Sequence, residues 1–415
     1  MDKIVDKTLK LGYYHYPLVK ICGILWSAKQ IQKRQPNFRL ILAMYEPERE
    51  VLTILKQAKI DVVPTLPCEK MSVLLRSVAN DFCHVGLNRE ENGVGIAAGV
   101  YLAGGKPLMI IQSTGFGNSL NAIMSLTVTY GLPLPILASW RGVYHERIEA
   151  QVPLGKALPP VLDALGLKYT LIEDSSKIRL VEEVIQDAFK NERPHIALIS
   201  PNTWSRPEAI EESADSYKQR KMCLHYEKTV MKPELRRYDA IKIITGYLTE
   251  ETVIANIGVP SKELYAAKDR ALNFYMLGSL GQVSAIGLGV ALKTKRETLV
   301  LDGDGSLQMS NILPLVAEAK PENLSIICLD NGTWGSTGDQ PAPYADMELM
   351  AISAGIANTT RVQTEEELRV ALERLYEDAG PRFLHVSVKP GNVPAVENIS
   401  LSAAQIKRRF RAACI

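Results

Sequence analysis

The stretch Thr298–Gly338, TLVLDGDGSLQMSNILPLVAEAKPENLSIICLDNGTWGSTG, restricts this chain more than any other. Its apolar run Thr298–Leu301 reads as a strand buried on both faces of a parallel sheet. The run ends in Asp302-Gly303-Asp304-Gly305-Ser306, and a helical pattern follows. A second apolar run, Leu324–Leu329, ends in Asp330-Asn331-Gly332. Two strands thereby deliver an acidic glycine-rich turn and an Asn-Gly turn to one carboxyl edge, which is where open α/β sheets bind ligands.

The residue types at those turns narrow the ligand. Glycines let backbone N–H groups approach an anion, and a helix N-terminus adds positive potential suited to phosphate. Asp304 and Asn331 offer hard oxygens of the kind Mg2+ prefers, alongside water and phosphate oxygens. A single Gly-Asp-Gly is usually an ordinary turn, but here 25 residues (306–330) separate Gly305 from Asn331 and each turn closes a strand. The pair reads as a cradle for a diphosphate and Mg2+.

Apolar residues make up 46% and charged residues 23% of the 415, and the net charge is +2, values ordinary for a soluble globular protein. Neither a nucleic-acid nor a membrane partner is favoured by that balance. No apolar run approaches the ~20 residues of a spanning helix, and Ile21–Trp26 lacks the cleavage signature of a secretory signal. The six cysteines (Cys22, Cys68, Cys83, Cys223, Cys328, Cys414) form no C-x-x-C pair and no metal spacing. Reduced core thiols and a cytoplasmic location are therefore expected.

Residues 46–200 alternate helix and strand in the manner of a doubly wound parallel layer, and a second such unit occupies 236–392. The expected fold class is α/β, with two doubly wound parallel-sheet domains. Between them, 201–235 is a charged linker, too short for a middle domain. Residues 1–45 form a basic, poorly patterned extension of unknown role. The basic C-terminal tail, 393–415, includes Ile406–Arg411, which reads as a helical end with a solvated face.

In the first unit, Asn88–Gly99 (NREENGVGIAAG) opens a helix, Glu90–Leu102, with one face almost free of side chains. Another backbone or a flat ligand can approach such a face closely. Glu90 and Glu91 also suit a first helical turn on electrostatic grounds alone. In the second unit, Phe274–Gly281 (FYMLGSLG) is a glycine-rich strand-to-helix turn, and Asn256-Ile-Gly258 ends another strand.

Together these motifs resemble the thiamine-diphosphate enzymes. Over about residues 48–390 the chain resembles the sulfopyruvate decarboxylase family, with its usual two subunits fused in one polypeptide. That second likeness rests on Pro67–Lys70, Arg89–Gly95, Gln112–Asn121, Ser139–Gly142, Glu149–Gly155, Asn273–Met276 and Gly335–Gly338.

The resemblance implies a role for each motif. Glu90, nine residues before Gly99, is the catalytic carboxylate that holds N1' of the aminopyrimidine. Gly278, Ser279 and Leu280 receive the pyrimidine, Gly278 through its carbonyl and Leu280 as the bulky support. Asn256, Gly258, Gly303, Asp304, Gly305, Ser306 and Asn331 bind the diphosphate end. Asp304, Asn331 and the carbonyl of Thr333 complete the Mg2+ shell. The implied reaction is non-oxidative decarboxylation of 3-sulfopyruvate to sulfoacetaldehyde and CO2, as in coenzyme M biosynthesis of methanogens. Decarboxylation of phosphonopyruvate, or of another 2-keto acid, is the alternative.

Trp140 stands where the sulfopyruvate family usually has His and resembles the phosphonopyruvate branch, whereas Glu149–Pro153 favours the sulfonate branch. A sulfonate requires cationic and N–H donors, because an unpaired buried anion is costly. Arg141 is the first candidate for its planar fork, and Lys70 the second. Gln112, Asn118 and Ser119 lie on a turn at the cofactor edge. The family architecture further implies a homodimer or homotetramer with the active site between protomers.

Overall fold

The computed structural model describes residues 46–205, 229–393 and 396–415. The expected extension 1–45 lies outside the described residues, as do 206–228 of the linker and two cysteines, Cys22 and Cys223.

In the first unit, β1 (Val62–Thr65), β2 (Cys83–Gly86), β3 (Met109–Gln112), β4 (Leu134–Ser139), β5 (Lys168–Ile172) and β6 (Pro194–Ile199) form one parallel sheet in the order β2-β1-β3-β4-β6-β5. Its helices are α1 (Glu46–Gln57), α2 (Ser72–Asp81), α3 (Glu90–Leu102), α4 (Phe116–Ala122), α5 (Val152–Ala164) and α6 (Leu180–Lys190). All six residues of β4 and of β6 are buried, as parallel strands covered on both faces must be.

The second sheet contains β7 (Thr252–Ala255), β8 (Asn273–Tyr275), β9 (Thr298–Gly303) and β10 (Leu324–Asp330). After a small antiparallel hairpin, β11 (Thr333–Trp334) and β12 (Gln340–Pro341), come β13 (Asn358–Val362) and β14 (Arg382–Ser387). The parallel order is β13-β14-β10-β9-β7-β8. Counted within each unit and leaving the hairpin aside, both sheets have the same strand order. The accompanying helices are α7 (Arg237–Tyr247), α8 (Val259–Ala267), α9 (Val283–Lys293), α10 (Asp304–Ser310), α11 (Leu313–Ala319), α12 (Met347–Ala354) and α13 (Glu365–Glu373). The chain closes with α14 (Ala403–Cys414).

Helices α3 and α9 occupy equivalent places in the two units and pack on each other. A methyl group on Gly99 would lie 2.0 Å from the Ile286 carbonyl oxygen, and one on Gly289 would lie 2.0 Å from that of Ile96. Only glycine permits this approach. The small-residue face of α3 therefore meets a backbone, and one apolar cluster runs through both units while a second lies within the first.

Several local expectations are revised. The apolar periodicity of Asn118–Tyr130 suggests one continuous helix, but the structure has α4 continued by a π-helical stretch, Ile123–Val128. The hairpin and β13 were not foreseen, and Cys83 is exposed rather than a core thiol.

The tail read as a solvated basic end is instead a docked helix, capped by a Ser402–Gln405 capping box and burying Ile406, Lys407, Phe410 and Cys414. Toward the first unit, Lys407 donates to the Gly131 carbonyl (2.8 Å) and pairs with Glu192 (2.7 Å), and Arg411 lies over the Tyr101 ring at 4.1 Å. Toward the second, Phe410 meets Phe274 edge-on at 5.6 Å and Arg409 pairs with Asp269. Ile406, Phe410 and Cys414 recur every four residues as one buried helical stripe, and the contacts of this helix reach both units.

Candidate active site

Gly303 at the end of β9 lies in register with Leu329 of β10, so the two turns that follow stand side by side. The Asp304 carboxylate lies beside the N–H groups of Gly305 and of Asn331 and so stands between the two turns. Burial, and after it the charge of Asp330, push Asp304 up to about 7. A neighbouring cation would reverse both effects.

Beneath this carboxylate Asp302 is fully buried and is raised to about 6 by desolvation. It receives Ser284 Oγ at 2.6 Å, the Gly303 N–H at 2.8 Å and Asn256 Nδ2 at 3.3 Å, and so fixes the turn from below. Asn331 donates to Thr333 Oγ1 (3.0 Å), and His385 Nε2 lies 2.7 Å from Asp330 Oδ2.

Among the described residues no group of three His, Cys, Asp or Glu could hold a metal. A divalent cation here would rely on Asp304, amide and carbonyl oxygens of Asn331 and Thr333, and oxygens of its ligand. The loop that includes the hairpin covers the cradle. A methyl group on Gly305 would lie 2.5 Å from the Trp334 ring, and one on Gly258 (φ +83°) 2.6 Å from Ser336 Oγ.

The turn between β8 and α9 is shaped from the first unit. Buried Tyr130 accepts the Leu277 N–H and donates to the Tyr275 carbonyl, both at 2.8 Å. Ser279 adopts φ +61°, with its hydroxyl 2.6 Å from that of Ser125 in the π-helical stretch. Gly278 lies against the same residue, where a methyl group would stand 2.6 Å from the Ser125 carbonyl oxygen. Leu280 is 36% exposed, in keeping with an apolar support that a flat ligand would cover.

Glu90, the first residue of α3, is buried and accepts Asn118 Nδ2 at 3.0 Å. Its Oε1 would stand 1.6 Å from a methyl group on Gly115, so the turn after β3 is shaped around it.

One strand over, the Arg141 N–H donates to buried Ser113 Oγ at 2.9 Å. The Arg141 side chain is buried and grips Glu146 with two hydrogen bonds, Nε at 2.6 Å and Nη2 at 3.1 Å. Its Nη1 faces Gln112 Oε1 at 3.4 Å, and Cys68 lies beside the guanidinium. The guanidinium holds Glu146 down at about 2.

The structure thus brings Glu90, Gln112, Asn118 and Arg141 together at one edge of the first sheet. Two other candidates stand apart from this group. Lys70 is partly exposed and pairs with its neighbour Glu69 at 3.1 Å, and the buried Ser119 hydroxyl is spent on the Phe116 carbonyl at 2.8 Å. Trp140 donates to the Gly155 carbonyl at 2.9 Å and packs edge-on against Tyr144, a structural clamp on the same loop.

Residues that sequence reasoning missed include Asp302, Tyr130, Ser125, Trp334 and Glu146. Asp302 ends an apolar run and was legible as a strand-end carboxylate. Nothing local marks the other four.

Comparison with known proteins agrees with this geometry. Residues 48–166 match the thiamine pyrophosphate enzyme N-terminal TPP binding domain, and 257–386 the C-terminal TPP binding domain. A protein of Methanosarcina acetivorans named sulfopyruvate decarboxylase is 48% identical over 375 residues, covering 88% of this chain and 97% of its own length. A phosphonopyruvate decarboxylase of Streptomyces hygroscopicus is 28% identical over 360 residues, 85% of this chain and 90% of that protein. The sulfopyruvate decarboxylase subunit beta of Methanothermobacter thermautotrophicus is 46% identical over 180 residues, 42% of this chain and 94% of its own. What is a separate subunit there is part of one polypeptide here.

In fold, the chain is similar to benzoylformate decarboxylase from Polynucleobacter necessarius, with a TM-score of 0.66 and 12% identity over 85% of this chain and 100% of that one. The chain belongs to the thiamine-diphosphate-dependent enzymes, and within them to the decarboxylases without a middle domain that include sulfopyruvate decarboxylase.

Proposed function

We propose that this chain decarboxylates 3-sulfopyruvate non-oxidatively, releasing sulfoacetaldehyde and CO2, with thiamine diphosphate and Mg2+ as cofactors. The observation that carries this reading is the convergence of two structures: the Asp304–Asn331 cradle, and the Glu90 carboxylate set against the Gly115 turn beside Arg141. The 48% identity to the Methanosarcina protein supports the sulfonate substrate over the phosphonate one. A place in coenzyme M biosynthesis follows from that substrate.

When bound, thiamine diphosphate supplies the nucleophilic carbon and the electron sink that loss of CO2 requires. The chain's residues do the rest. Asp304, Asn331 and the Thr333 carbonyl would hold Mg2+, whose preference for carboxylate, neutral and phosphate oxygens they match. Gly303, Gly305, Ser306, Asn256 and Gly258 would bind the diphosphate end. Gly278 and Leu280 receive the pyrimidine, and Ser279 sets their turn. Glu90 would exchange a proton with the aminopyrimidine nitrogen, and Asn118 fixes the orientation of its carboxylate. Arg141, whose Nη1 donates to Gln112 Oε1 at 3.4 Å, would bind the sulfonate with its remaining Nη1 hydrogen.

We infer also that copies of the chain associate as a homodimer or homotetramer with the active site between protomers. Support comes from the exposed apolar side chains Val128, Leu277, Leu280 and Met309 around the Gly278 turn. No helix among the described residues is long and apolar enough to cross a membrane, and a cytoplasmic location is part of the same reading.

The test is CO2 release from 3-sulfopyruvate with and without thiamine diphosphate and Mg2+, using wild type and Glu90→Gln. Turnover that requires both cofactors and collapses in the variant supports the reading. Cofactor-independent turnover, or full activity of Glu90→Gln, overturns it.

A further inference from the structure

We propose that Glu146 sets the charge Arg141 presents to the substrate, and thereby selects a singly charged sulfonate over a doubly charged phosphonate. The inference rests on the reading of Arg141 as the group that binds the substrate's remote anion.

The loop is built to hold this pair. Gly142 (φ +84°) and Gly155 lock the Arg141 backbone in place: a methyl group on Gly142 would lie 2.0 Å from the Gln151 carbonyl oxygen, and one on Gly155 2.1 Å from that of Arg141. The chain then turns back through Tyr144 (φ +51°) and His145 (φ +61°). Two successive non-glycine residues in the left-handed region are unfavourable and persist only where the surroundings impose them. The turn delivers the Glu146 carboxylate onto the guanidinium. There it also accepts the N–H groups of Arg147 at 3.0 Å and Ile148 at 3.2 Å, which locks it in place.

The consequence is electrostatic. Both partners are buried, with side chains 3% and 8% exposed, so their charges are weakly screened. Nε and Nη2 are committed to Glu146 and Nη1 donates to Gln112 Oε1 at 3.4 Å, so a ligand would take the remaining Nη1 hydrogen. An incoming anion therefore meets one cation and one fixed anion. A sulfonate brings a single negative charge. A phosphonate at neutral pH brings between one and two, as a phosphate ester does, and its repulsion by Glu146 grows in proportion. Discrimination by a built-in like charge is a known route to specificity.

The experiment is steady-state kinetics of the cofactor-loaded enzyme with 3-sulfopyruvate and phosphonopyruvate at one pH and ionic strength. Wild type, Glu146→Gln and Arg141→Met are compared, with thermal melts confirming that each variant is folded. Glu146→Gln keeps an acceptor for the backbone N–H groups but removes the charge. It is expected to raise the phosphonopyruvate-to-sulfopyruvate ratio of kcat/KM about tenfold or more, mainly through KM. Arg141→Met is expected to raise KM for both substrates.

An unchanged ratio in Glu146→Gln, with both KM values raised in Arg141→Met, overturns the proposal while the Arg141 reading stands. Unchanged KM values in Arg141→Met overturn that reading and the proposal with it. Should Glu146→Gln not fold, wild type is tested with methanesulfonate and methylphosphonate as competitive inhibitors. Tighter inhibition by methanesulfonate is expected, and tighter inhibition by methylphosphonate overturns the proposal.

Discussion

Oε1 of Glu90 occupies the space where a side chain on Gly115 would begin: a methyl group there would lie 1.6 Å from it. Glu90 and the turn that leads toward Arg141 are thus one packed unit. Gly115→Ala should push the carboxylate aside and lower kcat by about 10²-fold, the scale of a misplaced proton-transfer group. Binding of the diphosphate end should change only a few-fold, since its residues lie in the other unit. Turnover together with cofactor titration followed by fluorescence quenching measures both.

The contact between α3 and α9 predicts a stability effect rather than a chemical one. Gly289→Ala places a methyl group against the Ile96 carbonyl oxygen, which cannot yield as a flexible side chain could. A loss of about 1–3 kcal/mol is expected, as for other overpacked cores, seen as a lower melting temperature. Because Gly99 packs against the same helix, Gly99→Ala with Gly289→Ala should not be additive.

Asp302 and Asp304 make the cofactor-free protein sensitive to pH. Their folded-state values are raised to about 6 and about 7 from 3.8. Between about pH 4 and pH 7 the folded state therefore binds more protons than the unfolded chain, and stability falls as pH rises. Glu146 and Asp187, held at about 2, act in the opposite sense, and their contribution is lost only as pH falls below about 4. The lowered values of His84 and His195 raise stability with pH in the same window, so the check, by thermal melts, is the difference between proteins. From pH 5 to pH 8 Asp304→Asn should gain stability relative to wild type, and Mg2+ with thiamine diphosphate should stabilise wild type more at pH 8 than at pH 5.

The C-terminal helix is expected to act as a structural clasp. Lys407→Ala leaves the Gly131 carbonyl without its donor and Glu192 without its cation. A cost of about 1–3 kcal/mol is expected for a partly buried charged hydrogen bond, read as a lower urea midpoint with both units unfolding together.

What was legible in the sequence was short in range. The Gly303–Gly305 turn and Asn331 sit at the ends of apolar runs, and α3 begins and ends where its pattern said, at Glu90 and Leu102. The destination of α3's small face was left open as a backbone or a flat ligand, because nothing in Gly95 or Gly99 names a partner at Ala285 or Ile286. The docked tail escaped for a related reason. The spacing of Ile406, Phe410 and Cys414 gives a helical stripe, but the Lys and Arg residues between them suggested solvent, and Phe274 and Tyr101 are distant in sequence. The Arg141–Glu146 pair depends on left-handed geometry at Tyr144 and His145, which neither side chain advertises.

The most direct test of the account is the ratio of kcat/KM for 3-sulfopyruvate to that for phosphonopyruvate, measured with thiamine diphosphate and Mg2+ and repeated without them. The account predicts a ratio well above one, with activity lost on removing either cofactor. A ratio below one, or activity that persists without thiamine diphosphate, would contradict it.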